Sequence, residues 1–207
     1  MEFSEVVRRR RMVRRFDPDR PVDHNTVRKV LATALRAPSA GHTQGWDFVV
    51  LDTPEARQHF WAATADREPD AWLIGVSAAP TLIVCCSDPE AYLDRYAEPD
   101  KGWTDRDTAR WPIPYWDVDT GMAALLMLLS AVDQGLGALF FGVPARAHDE
   151  VRRALGIPAS RRIVGVVALG HEAQRVTSPS LRRGRRGLEE AVHWGTYGES
   201  VPGLHHA

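Results

Sequence analysis

Two arginine clusters stand near opposite ends of the chain. Arg10-Arg11-Met12-Val13-Arg14-Arg15-Phe16 lies near the start, and Leu181-Arg182-Arg183-Gly184-Arg185-Arg186-Gly187-Leu188 near the end. Guanidinium groups repel one another, so gathering them is unfavourable unless an anion lies between them. Their planar fork of donors grips phosphate bidentately. If the two ends meet in the fold, they make a pocket for one phosphate group. Each cluster alone reads as a solvated surface. The ligand reading gains weight only when both are taken with Pro38-Ser39-Ala40-Gly41-His42-Thr43-Gln44.

Other residues that could do chemistry read as structural. Asp117 and Asp119 sit near the start of an apolar helix, where carboxylates suit the helix dipole. Cys85 and Cys86 have no flanking charge and lie in an apolar run, so they read as core thiols rather than nucleophiles. Neighbours on a strand point to opposite faces, which disfavours a disulfide between them. His42, His171 and His193 lack a ligand spacing such as His-x-x-x-His, so no structural metal is expected. His205-His206 reads as a frayed terminus.

The balance of the whole chain narrows the class. The 207 residues carry a net charge of −1, with 44% hydrophobic and 26% charged residues, as in an ordinary globular protein. A nucleic-acid binder would be clearly basic; the positive charge here is local, which favours a small anionic ligand. No stretch is expected to approach the roughly 20 apolar residues of a membrane span. The N-terminus shows no apolar signal region. Reduced thiols then suit the cytoplasm.

The elements that must position these residues follow from periodicity. A short helix is expected over 2–11 and a second over 24–36, capped by Asp23. Trp46–Leu51 reads as a strand, 54–65 as a helix opened by Pro54, and Thr81–Cys86 as a strand covered on both faces. A core helix follows over 118–134, then a strand over 138–141, a helix over 147–155 and a strand over 163–169. Residues 88–116 fit neither period and hold Tyr92, Tyr96, Trp103, Trp111, Tyr115 and Trp116. So long an excursion suggests a lid, and its tryptophans serve equally well to pack a loop onto the body. A single α/β or α+β layered domain over 1–207 is expected, with 171–207 a polar tail.

Three segments in order resemble the flavin-dependent nitroreductases. The opening cluster is similar to that family's Arg-Arg-Ser-x-Arg-x-Phe. Ala37-Pro38-Ser39-Ala40-Gly41-His42-Thr43-Gln44-Gly45-Trp46-Asp47-Phe48-Val49-Val50 resembles its Ala-Pro-Ser-x-x-Asn-x-Gln-Pro-Trp-x-Phe-x-Val. Gly135-Leu136-Gly137-Ala138-Leu139-Phe140-Phe141-Gly142, then Gly170 and the arginine tail, complete the set. The resemblance implies an α+β fold, a mixed sheet wrapped by helices, in an intertwined homodimer. It implies flavin mononucleotide (FMN) at the interface and NAD(P)H as reductant. Arg10, Arg11, Met12 and Arg14 would meet the cofactor from one end and Arg183 and Arg185 from the other, with Arg182 and Arg186 left open by the spacing. Pro38, Ser39 and Ala40 would approach the ring from the partner subunit. Backbone N–H groups around Phe141 and Gly142 would lie near its N5. Gln44 is carried over with this set, although its chemistry suits a buried amide that ties down backbone.

Met12 replaces the family's serine, whose hydroxyl helps bind phosphate or ribityl oxygens, and His42 and Gly45 replace Asn and Pro. The arginines still meet the phosphate charge, and room is left for another flavin or a deazaflavin. The implied reaction is hydride transfer from NAD(P)H to a planar conjugated acceptor such as a quinone or nitroarene, by ping-pong kinetics. The cofactor carries the chemistry, and no catalytic side chain is required. Trp103, Trp111 and Trp116 would form the substrate lid. The competing reading is a non-catalytic flavin- or deazaflavin-binding regulatory module, or a family variant with other flavin chemistry; turnover of NAD(P)H with an added quinone separates module from enzyme.

Overall fold

A computed structural model describes residues 1–65 and 68–200; His205 and His206 lie outside them. The chain separates into two compact units, Met1–Arg175 and Val176–Ala207, and the boundary falls inside the expected tail.

The first unit is built on four strands, β1 (Trp46–Leu51), β2 (Thr81–Ser87), β3 (Gly137–Phe141) and β4 (Arg162–Gly170), in the order β1-β2-β4-β3. All three pairings are antiparallel. The mixed character is confined, among the described residues, to one isolated parallel bridge between Met12 and Ala138. The central strand β2 is buried along its whole length. Its side chains alternate between two cores, as a period of two requires. Ile83 and Cys85 face α2 (His24–Ala34) and α6 (Tyr115–Asp133). Leu82, Val84 and Cys86 face α3 (Pro54–Thr64), α4 (Ala71–Ser77) and α7 (His148–Leu155). The result is an α+β fold with helices on both faces of the sheet. The second unit holds a 3₁₀ turn, Pro179–Arg183, and the single-turn helix α8 (Leu188–Ala191).

Local chemistry sets the ends. The Asp23 carboxylate accepts from the Thr26 amide at 3.0 Å, and the Thr53 hydroxyl accepts from Ala56 ahead of Pro54. Gly156, with φ at +65°, closes α7 in the left-handed conformation. α1 (Phe3–Arg9) opens the chain.

Three features differ from the sequence expectation. α4 is a helix that periodicity did not expose, capped by Asp70. The 88–116 excursion contains α5 (Pro89–Ala97), which turns Tyr92 and Leu93 inward. α6 reaches 19 residues and is apolar enough to cross a membrane by composition, yet half of it is buried inside the molecule, as befits a core helix.

Candidate functional site

Extended backbone carries the N-terminal arginines along the free edge of β3. The Val13 amide donates to the Ala138 carbonyl at 2.9 Å, and the Phe16 amide to Gly75 of α4 at 3.2 Å. Asp17 and Ala173 close the path, their amides donating to His171 and Arg15. A Cβ on Gly75 would overlap the Arg14 carbonyl oxygen, so only glycine lets α4 approach this segment so closely.

The arginines on this segment have different partners. Arg14 is half-buried and, among the described residues, donates only to the Met12 carbonyl, at 3.0 Å. Arg10 caps α1, and its guanidinium has no partner among the described residues. Arg11, expected with the cofactor residues, commits its fork instead to both oxygens of Glu172; that bond raises its pKa above the ordinary arginine value. The Met12 side chain packs against both hydrophobic cores, so the residue in place of serine contributes packing.

Phe141 and Gly142 lie farther along the same edge. Phe141 stacks on Trp61 with ring centroids 5.8 Å apart and an interplanar angle of 8°, and meets the edge of Trp72 at 5.7 Å. These rings, with Val143 and Pro144, line an apolar pocket of about 540 Å³. Gly142 is exposed, and a Cβ there would meet nothing within 4 Å. The main chain is exposed at this point.

Pro38–Gln44 sits elsewhere. It precedes β1, so it lies at the same end of the sheet as Phe141 but at the opposite edge, three strand spacings or about 14 Å away. The loop is held tightly. The Ser39 hydroxyl accepts from the Gln44 amide at 2.9 Å, and the Ala40 amide donates to Asp119 Oδ2 at 2.8 Å. The Arg95 guanidinium donates to the Gly41 carbonyl at 2.9 Å. Gly41, His42 and Gln44 all have positive φ, 63°, 54° and 54°. Two non-glycine residues in that region store strain, which persists where surrounding contacts over-determine it. Gln44, expected to be a buried amide, is exposed; its Nε2 lies 3.1 Å from His42 Nε2.

Sequence reasoning missed the anchor of this loop. Asp119 is 1% exposed and accepts from the Tyr92 hydroxyl at 2.7 Å as well as from Ala40. Burial, followed by that bond, raises the Tyr92 phenol well above its usual range. Asp117 behaves differently, pairing with Arg162 and accepting from Ser87 at 2.6 Å. The only available signal was a carboxylate inside an otherwise apolar helical run.

The aromatic segment is a packed cluster. Trp111 meets Tyr96, Trp103 and Trp116 with centroids 4.6, 5.4 and 5.8 Å apart, and Tyr92 at 5.9 Å. Trp116 is buried, whereas Trp103 and Trp111 are half-buried. Cys85 and Cys86 are free and buried; burial pushes the Cys86 thiol up to about 11 and that of Cys85 higher still. Arg183 and Arg185 are exposed in the second unit, without a partner among the described residues.

A four-stranded sheet with helices on both faces, its β3 edge followed by a segment in which Arg11 pairs with Glu172 while Arg10 and Arg14 have no carboxylate partner among the described residues, defines an α+β protein. The Nitroreductase family model matches residues 7–171, and the chain belongs to that family. It is 32% identical to an NADH dehydrogenase of Thermus thermophilus, over 94% of this chain and 96% of that protein. It is 28% identical to a protein of Archaeoglobus fulgidus named for NADH dehydrogenase and NAD(P)H nitroreductase activity, over 82% and 85%. A structure from Exiguobacterium sibiricum, named for a nitroreductase in complex with FMN, shares the fold with a TM-score of 0.71. It is 19% identical and covers 94% of this chain and 97% of that one.

Proposed function

We propose that this protein is an FMN-dependent oxidoreductase that moves hydride from NAD(P)H to a planar conjugated acceptor, such as a quinone or nitroarene, by a ping-pong mechanism. The observation that carries the reading is the edge of β3. Arg10 and Arg14 run beside it without a carboxylate partner among the described residues, and it ends at Phe141 and the exposed main chain of Gly142. That donor set fits FMN: guanidinium forks for a phosphate dianion, and backbone N–H groups with no side chain in the way of a ring. The relatives named for NADH dehydrogenase and NAD(P)H nitroreductase, and the FMN-bound structure, support the same reading.

When bound, FMN supplies the two-electron carrier between the reduced nicotinamide and the acceptor. Arg10 and Arg14 would hold the phosphate. Backbone donors at Phe141 and Gly142 would favour negative charge at the edge of a bound ring. In this reading Trp103 and Trp111 bound the acceptor space and the buried Trp116 supports them. The free, buried thiols suit a reducing cytoplasm.

The site is shared between two copies. One chain holds Pro38–Ala40 and Phe141 at opposite sheet edges, so a ring touching both takes them from different subunits. α6 offers the contact surface: Val118 and Leu125 are 40% and 48% exposed, and Met122 and Leu129 are half-buried on the same stripe.

Arg14→Ala tests the phosphate site. Losing a charge-assisted bond of about 1.5–3 kcal/mol should weaken FMN retention roughly ten- to a hundredfold, with little change in melting temperature. Undiminished flavin content would remove Arg14 from the site.

A further inference from the structure

A second cationic site lies across the arginine segment from the proposed phosphate contacts. Side chains alternate along this extended backbone, so Arg11 and Val13 project to one side and Arg10, Met12 and Arg14 to the other. The Arg11 side opens on a cleft of about 620 Å³. Five arginines line it: Arg8, Arg9, Arg11, Arg20 and Arg175, with His171 beside them.

Carboxylates do not balance this charge. Glu172 engages Arg11, and Glu5 serves both Arg8 and Arg9, at 3.8 and 2.9 Å. Arg20 and Arg175 have no hydrogen-bond or ion-pair partner among the described residues. His171 registers the excess, since burial and then Arg20 lower its pKa below the ordinary imidazole value. The floor of the cleft is different: the half-buried Val132 and the exposed Gly135, where a Cβ would meet nothing within 4 Å, lie over the buried Val13 and Leu136. An apolar floor under a guanidinium rim suits a flat base carrying phosphate. The volume falls within the range of small-molecule sites.

We propose that this cleft binds a phosphorylated nucleoside, its base on the floor at Val132 and Gly135 and its phosphate between Arg20 and Arg175. The site is separate from Arg10 and Arg14 and does not depend on FMN being the bound cofactor.

Calorimetric titration of the full-length protein, as purified, with adenosine 2′,5′-bisphosphate tests this, with adenosine and inorganic phosphate titrated alongside. The bisphosphate should bind at least about tenfold more tightly than either part. The exposed double variant Arg20→Ala/Arg175→Ala should lose about tenfold or more in that affinity, with flavin absorbance unchanged. Arg14→Ala should leave it intact. Equal binding by the double variant, no saturable binding by the wild type, or binding of adenosine or phosphate alone as tight as that of the bisphosphate would overturn the proposal. Loss of the bisphosphate in Arg14→Ala would place the nucleotide in the flavin site and overturn it too. A failure of the FMN reading shows separately, as a protein without flavin bands.

Discussion

Tyr92→Phe removes one oxygen atom and leaves the ring in place against Trp111 and Trp116. The hydroxyl donates at 2.7 Å to Asp119, which is 1% exposed. Water therefore has little access to replace the lost donor. A hydrogen bond to a charged group contributes about 1.5–3 kcal/mol. For a domain of this size each kcal/mol shifts the melting temperature by about 2–4 °C. Tyr92→Phe should then melt roughly 3–12 °C below the wild type. Asp119 would keep the Ala40 amide, so the loop should stay in place while losing stiffness. Pairing Tyr92→Phe with Asp119→Asn in a double-mutant cycle, followed by differential scanning calorimetry, isolates the bond; the coupling should be about 1 kcal/mol or more. A melting temperature within about one degree of wild type, or additive effects of the two changes, would refute the claim that Asp119 and Tyr92 act together to hold Ala40.

Leu125→Glu puts a charge in the middle of the exposed α6 stripe. It should weaken self-association at least about tenfold, giving a monomeric mass by light scattering and a lower flavin content; an unchanged dimer mass would remove α6 from the interface. Stability should also fall with acid through His171. Its folded pKa lies below the unfolded value of about 6.5, so the unfolded chain takes up the proton first. The contribution of neutral His171 is complete above about pH 6.5 and is lost as pH falls toward the lowered folded value. Burial is the main cause and Arg20 the second, opposed by Asp17. Arg20→Ala should therefore raise the His171 pKa, read from its imidazole Cε1–H resonance; titration of wild-type His171 at or above about 6.5 would contradict the assignment.

Much of the sheet was legible because its strands obey a strong rule. Thr81–Ser87 and Arg162–Gly170 are buried along nearly their whole length, and a continuous apolar run records that directly. Asp23 and Pro54 marked helix starts through their own hydrogen-bonding chemistry. α4 and α5 were harder, being seven and nine residues long with few inward positions. α5 turns in only Tyr92 and Leu93, too few to fix a period, and the prolines and acids around it read as loop. The site was legible in part. Residue types revealed the arginines and the Pro38–Gln44 segment. The commitment of Arg11 to Glu172 pairs residues 161 positions apart, and the grip of Asp119 on Ala40 pairs residues 79 apart. No local pattern encodes either contact.

The central claim, a flavin site read out by reduced nicotinamide, is tested most directly by the visible absorption spectrum of the purified protein. NADH and NADPH would then be added in turn without oxygen. A yellow protein with flavin bands that bleach on addition of one or both nucleotides is the predicted result. A colourless protein that takes up no added FMN, or flavin bands that neither nucleotide bleaches, would contradict it.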